Sequence, residues 1–217
     1  MNYLSELGIF VIIFQLITAI IGSIYFYKYK NTVLKYFLIV LWYIGINDLM
    51  GYILKNQFNV NSVTILYNLY YLVVFNYLMF LFRSYISNIN HKKWVLILII
   101  FYTLSFVING FIENYLVEVA ITPYIIGASF IIISIILYYV DILNSEKVLY
   151  VNKNLLFWIS IGALIYYAGN IPFRIVRNYG GELADASIQF LALCILTIVM
   201  NLCFIIGFIW SNKKQQY

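Results

Sequence analysis

The sequence predicts an all-α polytopic membrane protein, a bundle of seven transmembrane helices. Two observations carry that prediction. First, 65% of the 217 residues are hydrophobic and only 10% are charged, against about 45–50% and about 25% in soluble domains. Second, the apolar residues gather into seven runs, each near the roughly 20 residues needed to cross a bilayer. A soluble fold of this size leaves a large share of its surface wet, so it could not hide this much apolar side chain. Lipid is therefore the expected solvent for most of the surface.

The runs cover about 4–26, 34–54, 62–82, 94–112, 119–140, 155–176 and 186–210. They are long and continuously apolar rather than alternating, which favours helices over barrel strands. The first run opens with MNYLSE, lacks a positive n-region and is longer than a cleaved signal, so it is read as a helix. The spacers KYKNTV, KNQFNVN, RSYISNINHKK, ENYLVE, DILNSEKVLYVNK and RNYGGELAD are short. None leaves room for a second domain, so 1–217 is read as one seven-helix domain.

Lys and Arg in short loops set orientation, because they stay on the cytoplasmic side. Lys28, Lys30, Lys35, Arg83, Lys92, Lys93, Lys147, Lys153, Lys213 and Lys214 fall on one side of the alternation, which holds ten of the 13 basic residues. Lys55, Arg174 and Arg177 fall on the other. The richer side is read as cytoplasmic. An odd number of crossings then places the N-terminus outside and the C-terminus inside, in a cytoplasmic (inner) membrane. The net charge of +5 is not a nucleic-acid footprint, since the cations lie between hydrophobic runs rather than on one stripe. Cys194 and Cys203 lie nine positions apart in one run, roughly 13 Å along a helix axis. That is too far for a disulfide, so both read as small packing residues.

The second and sixth runs echo one another. Tyr43, Gly45, Asn47, Lys55 and Asn56 are matched, with small gaps, by Tyr167, Gly169, Asn170, Arg177 and Asn178. A parallel repeat of helices 1–3 onto 5–7, a 3+1+3 arrangement, would produce this echo. Chance similarity between Tyr- and Asn-rich apolar segments is the plainer account.

Polar side chains inside membrane helices normally face the bundle interior or a wet cavity. Here they are Glu6, Gln15, Asn47, Asp48, Asn68, Asn76, Asn109, Thr122, Ser129, Asn170, Arg174, Gln189 and Asn201. With the N-terminus outside, nine of these 13, namely Glu6, Asn47, Asp48, Asn68, Asn109, Thr122, Asn170, Arg174 and Gln189, fall in the outer half of the bilayer; the inner half is mostly Ile, Leu, Val and Phe, with Asn76 and Asn201 as exceptions. The functional reading is a polar cavity open to the outside above an apolar plug. Its expected ligand-binding residues are Asp48, Asn47, Asn68, Asn109, Asn170, Arg174, Gln189 and Tyr167. The plainer alternative is that small amides hydrogen-bond between helices. Asp48 is the one carboxylate well inside a run, about six residues or roughly 9 Å from its outer end. It must be protonated, paired or hydrated there, and Arg174 is the candidate partner. A snorkelling interfacial role is the alternative for Arg174. Pro123 and Pro172 are expected to interrupt the fifth and sixth helices, which would suit a gate.

Several chemistries are missing. The one histidine, His91, is read into a cytoplasmic loop beside Lys92 and Lys93. No intramembrane His means no zinc hydrolase set and no Ser/His/Asp triad. No Walker or Rossmann glycine motif is present. No enzyme activity, metal or cofactor is expected. Seven helices, an outside N-terminus and a 3+1+3 order resemble in layout the sugar transporters of the SWEET and PQ-loop class. The Pro-Gln motif that names the class is absent, and Pro123 and Pro172 do not reproduce its proline set. The resemblance implies transport of a small polar solute bound near a repeat interface. The alternative is a receptor-like sensing or accessory subunit that signals through a separate protein. Expected partners are the lipid bilayer, a small polar solute, and either a second copy or a membrane or cytoplasmic protein; nucleic acid is not expected.

Overall fold

A computed structural model describes residues 2–58, 62–179 and 186–215. Among them are seven membrane-length helices: α1 (Asn2–Ile24), α2 (Lys35–Asn56), α3 (Thr64–Tyr85), α4 (Ile89–Asn109), α5 (Ile121–Leu143), α6 (Leu155–Tyr179) and α7 (Ala186–Trp210). All seven are long and apolar enough to cross a bilayer, and no strand occurs among the described residues. The chain is a multi-pass integral membrane protein. The side chains of Lys147, Arg177 and Asn178, used above for sidedness and for the echo, lie outside the described residues, as does most of the RNYGGELAD spacer.

Two boundaries differ from the sequence reading for physical reasons. α4 starts at Ile89 rather than near 94, because Asn88 caps it: its Oδ1 accepts from the backbone N–H of Asn90 (2.9 Å) and His91 (3.4 Å). His91, Lys92 and Lys93 are therefore on the first turn of α4, not in a loop. α5 starts at Ile121, which puts Pro123 in its first turn. A proline there removes an N–H that has no helical acceptor anyway, so Pro123 does not interrupt α5. Pro172 does lie inside α6.

The helices carry an inverted polarity. Phe10, Ile13, Ile17, Ile20 and Ile24 form the exposed stripe of α1, while Gln15, Thr18, Ala19 and Gly22 are buried. α4 likewise exposes Ile97, Ile100, Phe101, Leu104 and Ile108. Each exposed stripe in water would cost about 25 cal/mol per Å²; against acyl chains it costs nothing.

The chain divides into two compact units. Unit 1 is Met1–Gly45 with Ile142–Tyr217, and unit 2 is Ile46–Asp141. Unit 1 thus joins α1 with α6 and α7, and unit 2 joins α3, α4 and α5. This is not the division that a repeat of helices 1–3 onto 5–7 would set.

In unit 1, α7 is the central helix, packed on α6 and on α1. Glycines let it approach. A Cβ on Gly162 would lie 2.9 Å from the Met200 carbonyl, and one on Gly207 would lie 2.7 Å from Trp158 Cβ. Phe37 at the start of α2 seats edge-on to Phe204 (5.2 Å between centroids), and Tyr29 lies beside Phe208. In unit 2, α3 packs on α4 and an aromatic core fills the centre. Phe75 touches the rings of Tyr71, Tyr102 and Tyr124, and the Tyr102 hydroxyl donates to the Tyr71 carbonyl at 2.9 Å. At one end of this unit Asp141 of α5 accepts from Ser87 and Asn88 N–H between α3 and α4 (2.7 and 2.9 Å).

The unit 2 core leaves no room at Gly127, where a Cβ would meet Phe75 and lie 2.6 Å from Tyr102. Gly127→Ala should lower stability by about 1–3 kcal/mol through forced ring displacement. Gly8→Ala, whose Cβ would meet Phe190 at an ordinary 3.4 Å, should change it by less than about 0.5 kcal/mol. Thermal unfolding of the detergent-solubilised protein reads both; equal effects would contradict the packing described.

Candidate functional site

The eight expected ligand residues fall four into each unit: Tyr167, Asn170, Arg174 and Gln189 in unit 1, and Asn47, Asp48, Asn68 and Asn109 in unit 2.

Glycine contacts fix the register in unit 1. Gly8 faces Phe190 and Gly22 faces Phe208, so α1 runs parallel to α7. Gly162 faces Met200 and Cys203, and Gly169 faces Leu196, so α6 runs antiparallel to α7. This register puts Arg174 and Gln189 at one level, toward the start of α7. It puts Gln15 and Tyr167 at the level of Thr197 and Asn201. Tyr167 and Asn170 are each 2% exposed, and Gln15 is 7% exposed. Arg174 and Gln189 are half-buried.

What separates these polar groups is whether the protein satisfies them. Thr18 donates to Phe14 O, Thr197 to Leu193 O and Asn201 to Thr197 O, each one turn back on its own helix. Gln15 Oε1 and Gln189 Nε2 are buried without a hydrogen-bond partner in the protein. An unmet buried amide costs about 1–3 kcal/mol, and more where hydrocarbon replaces water. Such a group implies a polar guest, either water or a solute. Unit 1 thus offers one acceptor (Gln15) and one donor (Gln189) with a guanidinium (Arg174) at the level of the donor.

In unit 2 the amides divide the same way. Asn68, 1% exposed, donates both amide hydrogens, to Tyr115 O (3.0 Å) and Glu118 O (2.9 Å), and its Oδ1 accepts from Ala120 N–H at 2.9 Å. It pins the α4–α5 connection to α3. Asn109 donates to Glu113 Oε2 (2.7 Å) and to the Tyr115 hydroxyl (3.2 Å), which itself donates to Phe106 O. Tyr115 lies in the connection, and burial first, with the Glu113 charge adding, pushes its phenol above the ordinary range despite the Asn109 bond. Any ligand role for Asn68 or Asn109 must compete with these bonds. Asn47 differs: it is 5% exposed, and its Nδ2 has no partner. Asp48 is half-buried, one turn before Gly51, and the Tyr67 hydroxyl lies 2.8 Å from where a Gly51 Cβ would stand.

No family model matches this chain, and no curated protein or solved structure does either. Function must therefore be argued from the site's own chemistry. Among the described residues no three His, Cys, Asp or Glu gather as metal ligands, and Cys194 and Cys203 are free thiols.

Gln15 was outside the expected ligand set although it was among the intramembrane polar residues. The signal that finds it is the spacing Val11, Gln15, Thr18, Gly22, a buried stripe of small and polar residues on an otherwise Ile- and Phe-rich helix. The Asn68 clamp could not be read from sequence, because its partners are backbone carbonyls some 50 residues away.

Asn68→Ala should free the α4–α5 connection while leaving the helices in place, at a cost of about 1–3 kcal/mol. Hydrogen exchange of residues 113–120 should accelerate with little change elsewhere. Unchanged protection there would remove the clamp from the account.

Proposed function

We propose that this protein binds a small polar solute from the outer side of the membrane through unit 1, with transport as the first reading. Gln189 and Arg174 contact the solute toward the start of α7, and Gln15, roughly 12 Å or more deeper by the helix register, offers an acceptor farther in, beside Tyr167. Asn47 and Asp48 are the corresponding polar group of unit 2. The observation that carries this is the pair of buried, unmatched carboxamide atoms, Gln15 Oε1 and Gln189 Nε2. Polar guests bearing donors and acceptors satisfy them, and sugars, amino acids, vitamins and nucleosides all qualify. Arg174 favours a solute with a carboxylate or other anionic group. The outward direction rests on the cation count, which puts the N-termini of α1 and α7 outside.

Sensing is the second reading, and one observation favours it. A route inward would need polar groups deeper in the membrane, and the two amides there are committed elsewhere. Asn76 donates to Leu72 O and accepts from Thr103, and Asn201 donates to Thr197 O. Uptake into proteoliposomes separates the readings, since a sensor binds the solute without accumulating it.

Gln15→Leu and Gln189→Leu test the site. Each removes an unmatched polar atom, so the melting temperature should rise, while solute affinity falls by about tenfold or more. Affinity is read by ligand-induced thermal shift across the four solute classes. Wild-type binding in both variants would sink the proposal.

Sidedness has its own test. In a chain lacking Cys194 and Cys203, Asn114→Cys should react with an impermeant maleimide on intact cells, and Asn144→Cys only after permeabilisation. The reverse pattern would overturn the outward-facing site.

A further inference from the structure

An open pocket lies at the opposite, lysine-rich end of unit 1. Its volume is about 310 Å³, and it is lined by Tyr27, Lys28, Lys153, Trp210, Ser211 and Lys213, with Asn212 completing its rim. The elements that build it are the α1–α2 connection, the 3-10 segment Glu146–Lys153 before α6, and the end of α7.

Three features give it a chemical preference. First, three of its lining residues are lysines and none is acidic. Lys28 donates to the last carbonyls of α7, Phe208 O (2.9 Å) and Ile209 O (2.8 Å), which cancels the negative end of that helix. The ammonium of Lys28 has a third hydrogen beyond these two bonds. Lys153 lies over the Trp210 ring at 4.9 Å, and its backbone is tied to the rim by Asn212 N–H to Lys153 O at 2.9 Å. Burial, and then repulsion from Lys153, holds the Lys28 ammonium below the ordinary lysine range; an anion between the two cations would relieve both effects. Second, Ser211, only 4% exposed, lines this pocket with a buried hydroxyl that has no hydrogen-bond partner in the protein. Third, the rim is amphipathic. Tyr27, Trp210, Ile24 and Ile209 are all more than half exposed beside it, the pattern of a membrane interface.

Three ammonium groups and an unmatched hydroxyl around a small space suit a tetrahedral oxyanion with several acceptor oxygens. We infer that this pocket is a phosphate-binding site, taking the phosphate of an anionic lipid headgroup or of a soluble phosphate ester. The site is independent of the solute reading, lies at the other end of the helices, and can hold whether or not that reading does.

The test uses the full-length protein, delipidated in a maltoside detergent. Thermal unfolding is followed with phosphatidic acid or phosphatidylglycerol in mixed micelles, with phosphatidylcholine as the zwitterionic control, and separately with inorganic phosphate and glycerol phosphate. At least one phosphate arm should raise the melting temperature while phosphatidylcholine does not. Protection by the lipids alone identifies a headgroup; equal protection by inorganic phosphate identifies a soluble ester. Lys153→Gln combined with Lys213→Gln should weaken the effect by about tenfold or more, with Ser211→Ala between this variant and wild type. Lys28 is left intact because it caps α7. Should the double variant fail to fold, Ser211→Ala decides alone, since it removes one hydroxyl and breaks no bond. No shift from any phosphate, or the same affinity in wild type and Ser211→Ala, overturns the site.

Discussion

Every polar atom within the membrane must find a partner inside the protein or bring a polar guest with it. Water offers exposed groups an alternative, and hydrocarbon does not. This chain meets the constraint chiefly by turning short polar side chains back onto their own helices. Thr18, Ser23, Ser129, Ser134 and Thr197 each donate to the carbonyl four residues earlier. Asn76 and Asn201 do the same with an amide hydrogen. These bonds need no neighbour, so the residues can sit anywhere on a helix and carry little information about a site. The groups that matter are those for which back-bonding leaves an atom over.

That distinction sorts the sequence reading. The seven crossings were legible because membrane thickness imposes a length on each apolar run, and the runs match the helices to within a few residues. The largest error, at α4, arose because Asn88 caps a helix whose first turn is basic and polar: Asn90, His91, Lys92 and Lys93 look like loop to any hydropathy argument. Pro123 misled for a similar reason, since a proline marks a break only when its missing N–H would have had an acceptor. The polar inventory was legible as an inventory, but its division was not. Asn68 and Gln189 look equivalent in sequence, yet one has three hydrogen bonds to the α4–α5 connection and the other keeps an unmatched donor. Only the paths of distant backbone carbonyls tell them apart.

In sequence the charged residues are an uneven count between alternate loops; in place, they close helix ends. Lys28 meets the final carbonyls of α7, Asp141 meets the amides between α3 and α4, and Arg83 Nε donates to Lys92 O at 3.2 Å. Helix ends carry backbone groups that the helix itself leaves unmet, and at a membrane interface they sit where the dielectric is falling. A charged side chain that reaches them is worth more there than on a soluble surface. The basic loops thus finish helix ends, and a lysine-lined pocket forms where the α1–α2 connection, the 3-10 segment before α6 and the end of α7 meet in unit 1.

Glutamine is the residue least suited to this economy, and that makes Gln15 and Gln189 informative. A carboxamide has two donors and an acceptor, and its own helix offers only carbonyls, so the oxygen of a buried Gln must look elsewhere. Leucine has similar volume, better helix propensity and no unmet atom. On a helix as apolar as α1, leucine at position 15 would be the more stable choice by about the cost of one unsatisfied group. A side chain that lowers stability without closing a bond inside the protein is the kind found at sites of function. Two such atoms of opposite character, an acceptor on α1 and a donor on α7, stand at different levels of one unit, so each calls for its own polar guest along the packed helices.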